Sequence, residues 1–124
     1  MLKDSKAFSG FAVDDIDKAR AFYADTLGIE TSEENGMLTL HLAGDRPTLV
    51  YPKPGHEPAG YTILNFPVDD LDGTVDALAA RGVEFLRYDG FGQDERGIMR
   101  EQGPPIAWFT DPAGNILSVI EQQP

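Results

Sequence analysis

Cysteine is absent from all 124 residues, which excludes disulfides, thiolate metal sites and a cysteine nucleophile. Histidine occurs twice and tryptophan once, so imidazole chemistry rests on His41 or His56 alone. No apolar run approaches the roughly 20 residues that span a bilayer, so no membrane partner is expected. Basic residues are scarce: 10 Lys and Arg stand against 21 Asp and Glu, a net charge of −11. Such a surface repels phosphate backbones and argues against nucleic acid, while suiting a cationic small molecule. Met1-Leu-Lys-Asp-Ser-Lys6 has bases but no apolar core behind them, unlike a secretory signal. A cytoplasmic protein forming one domain over 1–124 is the expectation.

What the chain does contain, it contains twice. Phe11-Ala-Val-Asp-Asp-Ile-Asp17 returns at Phe66-Pro-Val-Asp-Asp-Leu-Asp72, identical at five of seven positions and offset by 55 residues. Each copy follows an apolar run, opens a helical pattern and closes on Leu27-Gly28-Ile29-Glu30 or Arg81-Gly82-Val83-Glu84. A repeat at half the chain length means two copies of one supersecondary unit, and paired units leave a groove where ligands sit. The modules are expected at about 6–52 and 61–122, joined by a Pro- and Gly-rich linker at about 53–60.

Periodicity orders each module as β-α-β-β-β. A first strand ends at Val13 with Phe8, Gly10 and Ala12 on one face. Asp14 or Asp15 caps a helix whose buried stripe runs through Ile16, Ala19, Phe22, Tyr23 and Leu27, and Gly28 stops it. Asn35-Gly36 signals a hairpin. Beyond it Leu38, Leu40 and Leu42 share one strand face, with Met37, Thr39 and His41 on the other. Gly44-Asp45-Arg46-Pro47 is read as the next turn, followed by a strand over 48–51. In the second module Asp69 or Asp70 caps a helix with Leu71, Val75 and Leu78 buried, and 83–88 reads as a strand. Residues 106–110 and 115–121 are strands joined by Asp111-Pro-Ala-Gly114. The duplication of the Asp pairs at both helix starts makes them caps rather than catalytic carboxylates.

The residues Val13-Asp-Asp-Ile-Asp-Lys-Ala-Arg-Ala-Phe-Tyr-Ala-Asp-Thr-Leu-Gly28 and Trp108-Phe-Thr-Asp-Pro-Ala-Gly-Asn-Ile-Leu117, with the repeat, make nearly the whole chain resemble the vicinal oxygen chelate superfamily of glyoxalases, bleomycin-resistance proteins and extradiol dioxygenases. The resemblance implies an α+β fold of two tandem βαβββ modules forming a cupped mixed sheet, with helices on the outer face. Proteins similar to this fold commonly pair, which implies a homodimer. In metal-dependent members His, Gln or Glu side chains from strands of both modules hold a divalent cation. Here those positions fall on Phe8, Val50, Ile63 and Ser118. Three are hydrocarbon and a lone serine hydroxyl is a poor ligand, so neither a metal site nor a cofactor is expected.

The cup that remains is mostly apolar. His41 is a weak candidate for a catalytic base. Asn65 stands as a polar side chain among apolar neighbours and suits an orienting contact. Trp108 and Phe109 are successive, so only one faces the cup; a four-residue turn at 111–114 places Phe109 inside, and a bulge places Trp108 there instead. Tyr88, Phe91 and Met99 lie in a Gly-rich stretch that reads either as a lid over a flat ligand or as a solvated connection. Asp89, Asp94 and Glu95 from the same stretch suit a cationic group. The expected function is metal-independent binding of a small apolar or aromatic molecule, of the natural-product or antibiotic sequestration type. The alternative is a glyoxalase- or dioxygenase-like enzyme, a lyase or isomerase.

Overall fold

A computed structural model describes residues 1–123. The chain is a mixed α+β protein that divides into two compact units between Glu57 and Pro58, within the Pro- and Gly-rich segment.

The first unit builds a four-stranded sheet from β1 (Ser9–Val13), β2 (Thr31–Glu34), β3 (Met37–Leu42) and β4 (Arg46–Pro52), in the order β1-β4-β3-β2. β1 and β4 run parallel and the other pairs antiparallel. Asn35 and Gly36 form the two-residue turn between β2 and β3, with φ of 55° and 76°. Only residues tolerant of the left-handed region fit such a hairpin without splaying its strands.

A single helix was expected before Gly28; the chain instead forms α1 (Ile16–Arg20) and then a π-helical stretch, Ala21–Thr26. The wider turn is closed by the Leu27 N–H donating to the Phe22 carbonyl. It buries Tyr23 completely, its ring 5.2 Å from Phe22 and 5.8 Å from Phe11 of β1. α1 packs on β3 and β4. Register puts Val13, Leu38, Leu40, Thr48 and Val50 on one buried face.

The second unit forms a three-stranded sheet from β5 (Thr62–Val68), β6 (Ile106–Thr110) and β7 (Ile116–Glu121), ordered β5-β7-β6. β7 runs parallel to β5 and antiparallel to β6. Helix α2 (Leu71–Ala80) packs on β7 and buries Leu71 and Val75, with Leu78 half-buried. The caps are the second aspartates of each pair: Asp15 accepts from the Lys18 N–H and Asp70 from the Gly73 N–H.

The expected strand at 83–88 does not form. Phe85 makes one bridge to Phe109, and the Leu86 N–H donates to the Trp108 carbonyl. The Leu86 carbonyl and the Tyr88 N–H are then taken by the side chain of Gln93, so the ladder ends there.

Candidate functional site

Strand register decides which candidates share a face. In the second unit Asn65 of β5, Ser118 of β7 and Trp108 of β6 lie directly opposite one another across three strands. Leu64, Leu117 and Phe109 form the next row and point to the other face. Leu117 and Phe109 are fully buried on that helix-bearing side. Phe109 packs there against Phe85, ring centroids 5.7 Å apart, and belongs to the core rather than to a ligand site. The reason is the turn. The Asp111 N–H donates to the Asn115 carbonyl, so the connection spans 111–115 rather than 111–114. Asp111 fixes it by accepting from the Ala113 and Asn115 N–H groups and from Asn115 Nδ2.

Trp108 is half-buried and meets two further rings. Tyr88 stands 5.4 Å from it at 83°, Phe91 5.6 Å from it at 62°, and the Tyr88 and Phe91 rings are 5.1 Å apart. Tilted and edge-on contacts at these distances are the attractive geometry for aromatic quadrupoles. Phe91 remains 42% exposed, so the cluster keeps a solvent-facing apolar surface. Met99 pairs with Ile106 through both main-chain hydrogen bonds. Since Ile106 alternates in phase with Trp108, Met99 shares that face. Ile63 sits at the bulge where the β5–β7 register shifts and is half-buried. The structure thus brings Asn65, Tyr88, Phe91, Met99, Trp108 and Ser118 to one side of one sheet.

The loop carrying Tyr88 and Phe91 is braced throughout. Gln93 accepts the Tyr88 N–H at 2.7 Å and donates to the Leu86 and Gly97 carbonyls, both at 2.8 Å. Arg87 donates to the carbonyls of Asp94 and Glu95. The Asp94 carboxylate accepts from the Arg96 and Ile98 N–H groups at 2.9 Å and from Arg100 at 3.1 Å. Burial alone would raise its pKa, but the Ile98 N–H, the Arg100 guanidinium and the Arg96 N–H together hold it below the usual carboxylate range. Asp94 is therefore spent inside the loop, not offered to a cation. Arg96 and Arg100 tie the segment to Asp72 and Asp76 of α2. Gln93 carried no periodic or motif signal in the sequence, and its role emerges only from the loop's main-chain path.

In the first unit His41, Thr39 and Met37 share the face opposite the buried leucines. His41 is exposed, with its Nε2 2.7 Å from the Ser32 hydroxyl. Val50 does not join that face. It pairs with Leu38 and Phe11 and is fully buried on the helix side. Leu49, which pairs with Thr39, and Tyr51, which pairs with Ala12, lie on the face of His41 instead. Phe8 precedes β1 and is 64% exposed. Of the four positions tested for metal ligation, Phe8, Val50 and Ile63 present only hydrocarbon, and Ser118 donates its hydroxyl hydrogen to Asn65 Oδ1. No group of three or more His, Cys, Asp or Glu side chains gathers among the described residues. None of the described helices is long and apolar enough to cross a membrane.

Several solved structures share this fold. A glyoxalase family protein from Enterococcus faecalis superposes with a TM-score of 0.69 at 20% identity, covering 98% of this chain and 100% of its own. The antibiotic binding protein TnmS3 from a Streptomyces species gives 0.67 at 23% identity, covering 97% and 98%. The fosfomycin resistance protein FosX from Mesorhizobium loti gives 0.67 at 13%, covering 97% and 93%. No curated protein matches the sequence. Residues 8–119 match a family described as the Glyoxalase/Bleomycin resistance protein/Dioxygenase superfamily, and with that match spanning all but the ends, the chain belongs to this superfamily.

Proposed function

We propose that the protein is a metal-independent binder of small apolar or aromatic organic molecules, of the antibiotic-sequestering type. The observation that carries this reading is the three-ring cluster of Tyr88, Phe91 and Trp108 on the sheet face that also bears Asn65 and Ser118. A flat ring laid on such a cluster gains roughly 0.5–1.5 kcal/mol beyond its area burial. A structural neighbour named as an antibiotic binding protein gives the fold a precedent for this use. A metal-dependent lyase or dioxygenase is disfavoured, because the side chains at the ligand positions do not fit a divalent cation. The reading includes a cytoplasmic homodimer. For such pairing the edge strands β1 and β5 offer main-chain hydrogen-bonding groups.

The test uses Trp108 as reporter, since it is the only tryptophan. Its fluorescence is followed while a panel of aromatic antibiotics is titrated against the intact chain. Saturable quenching that weakens in Phe91→Ala supports the proposal. Uniformly linear, collisional quenching across the panel sinks it.

A further inference from the structure

Phe91 is held in place by little more than its own ring. Among the described residues the loop tip at 89–92 makes one hydrogen bond, from the Phe91 N–H to the Tyr88 carbonyl at 3.3 Å, longer than main-chain bonds usually run. Gly90 and Gly92, at φ of 82° and 63°, flank the ring. A Cβ at either would meet no atom within 4 Å, so the tip stands clear of its surroundings on both sides of Phe91. The base of the loop does not. Gln93 holds the Tyr88 N–H at 2.7 Å, and a Cβ at Gly97 would come within 3.2 Å of Phe85. The loop therefore divides into a fixed base and a four-residue tip with a glycine joint on each side of its ring.

That ring covers the surface a flat ligand needs. Phe91 lies against Tyr88 at 5.1 Å and against Trp108 at 5.6 Å. Trp108 cannot yield, because β6 pairs with β7 there and its carbonyl accepts the Leu86 N–H. The main chain of Tyr88 is held by Gln93. Of the three rings, only Phe91 is free to move. Each of its two ring contacts favours the closed arrangement by roughly twofold to tenfold. The open tip is thus a minor form, at roughly 1–20% of the population.

We infer that Phe91 is a gate: its tip swings out on Gly90 and Gly92, admits a flat ligand to Trp108, and closes over it. This rests on the ring platform proposed above and says how a ligand reaches it. Phe91 is 42% exposed in the closed, empty form. Closed over a ligand it buries part of that remainder, so the same ring slows entry and release.

Stopped-flow mixing of the intact protein with menadione tests the gate. This flat, neutral quinone quenches tryptophan, and a chain without cysteine offers it no thiol. Trp108, the only tryptophan, reports both association and release. A loop tip moves faster than ligands bind, so the gate lowers the wild-type association rate by the fraction that is open. Phe91→Ala should therefore associate roughly fivefold or more faster than wild type. Its release should quicken by a larger factor, so that affinity falls. A residue that only touched the bound ligand would change release alone. Phe91→Leu, which keeps an apolar side chain but loses the ring, should lie between the two. Association no faster in Phe91→Ala than in wild type overturns the gate while leaving the platform standing. Purely collisional quenching by menadione overturns the gate as well, and the platform falls with it only if the antibiotic panel is also collisional.

Discussion

The side chain of Gln93 holds the main chain of Tyr88: its Oε1 accepts the Tyr88 N–H at 2.7 Å, while Nε2 donates to the Leu86 and Gly97 carbonyls. One amide thus closes three main-chain groups around the turn that delivers Phe91 to Trp108. Gln93→Ala forfeits all three bonds and should cost about 1–3 kcal/mol in urea denaturation. It should also reduce the near-UV circular dichroism of the ring cluster. Gln93→Glu should be worse near neutral pH, where a carboxylate would face two carbonyl oxygens, and should recover partly on acidification. An unchanged near-UV spectrum in Gln93→Ala would show that the rings hold the loop without it.

Trp108 and Phe109 are neighbours in sequence with opposite duties. Phe109→Ala empties a fully buried site and should cost about 3–5 kcal/mol. Trp108→Ala removes a half-buried ring from the other face. It should cost far less stability while abolishing aromatic ligand binding. Denaturation midpoints and calorimetric titrations of the two variants test the division, and equal destabilisation would contradict it.

Most of the architecture was legible because it is written twice: the repeated Val-Asp-Asp segments marked both helix starts, and Asn35-Gly36 marked its hairpin. Which face each residue takes was harder to read, because it depends on the exact length of each turn. Reading 44–47 as the turn pairs Val50 with His41, whereas the observed register pairs Leu42 with Arg46 and Val50 with Leu38. Reading 111–114 as the turn pairs Phe109 with Ile116, whereas Asp111 holds a five-residue turn that pairs it with Leu117. An odd error in turn length inverts every side chain beyond it. The loop at 87–100 was opaque for another reason: its order comes from Gln93, Arg87 and Asp94 bonding to the main chain, contacts that have no period.

The duplicated aspartates divide their labour in the same way in both units. Asp15 and Asp70 each accept an N–H from the first helical turn, while Asp14 and Asp69 are exposed and no such cap bond is seen for them. Asp70→Ala should therefore cost about 0.5–2 kcal/mol, and Asp69→Ala should stay within about 0.5 kcal/mol. Thermal melts of the two variants suffice. A larger loss in Asp69→Ala would mean that the first aspartate of the pair caps α2.

Asp94 gives the braced loop an acid limit. Its folded-state pKa lies below the usual value, so its stabilisation is complete above the unfolded value of about 3.9 and is lost as pH falls through the folded one. Asp94→Asn removes the charge-assisted bonds to Arg100 and the Ile98 and Arg96 N–H groups. It should cost about 1–2 kcal/mol at pH 7 and flatten the decline in stability on the acid side of about pH 4. Urea midpoints measured from neutral to acid pH provide the check. Parallel curves for wild type and variant would place the acid sensitivity elsewhere.

A divalent metal should leave the protein unmoved. Zinc, manganese or nickel bound at a hundred times its dissociation constant would add about 2.7 kcal/mol by mass action, a shift of several degrees for a domain of this size. Holding such an ion requires imidazole or carboxylate groups converging with an open position. The side chains at the tested positions are instead a phenyl ring, two aliphatic groups and a hydroxyl already donated to Asn65. Thermal melts with each ion and with a chelator should coincide within about one degree, well inside the shift that specific binding produces. A rise confined to one ion, reversed by the chelator, would locate a metal site outside these positions and reopen the enzyme reading, with His41 the first residue to substitute.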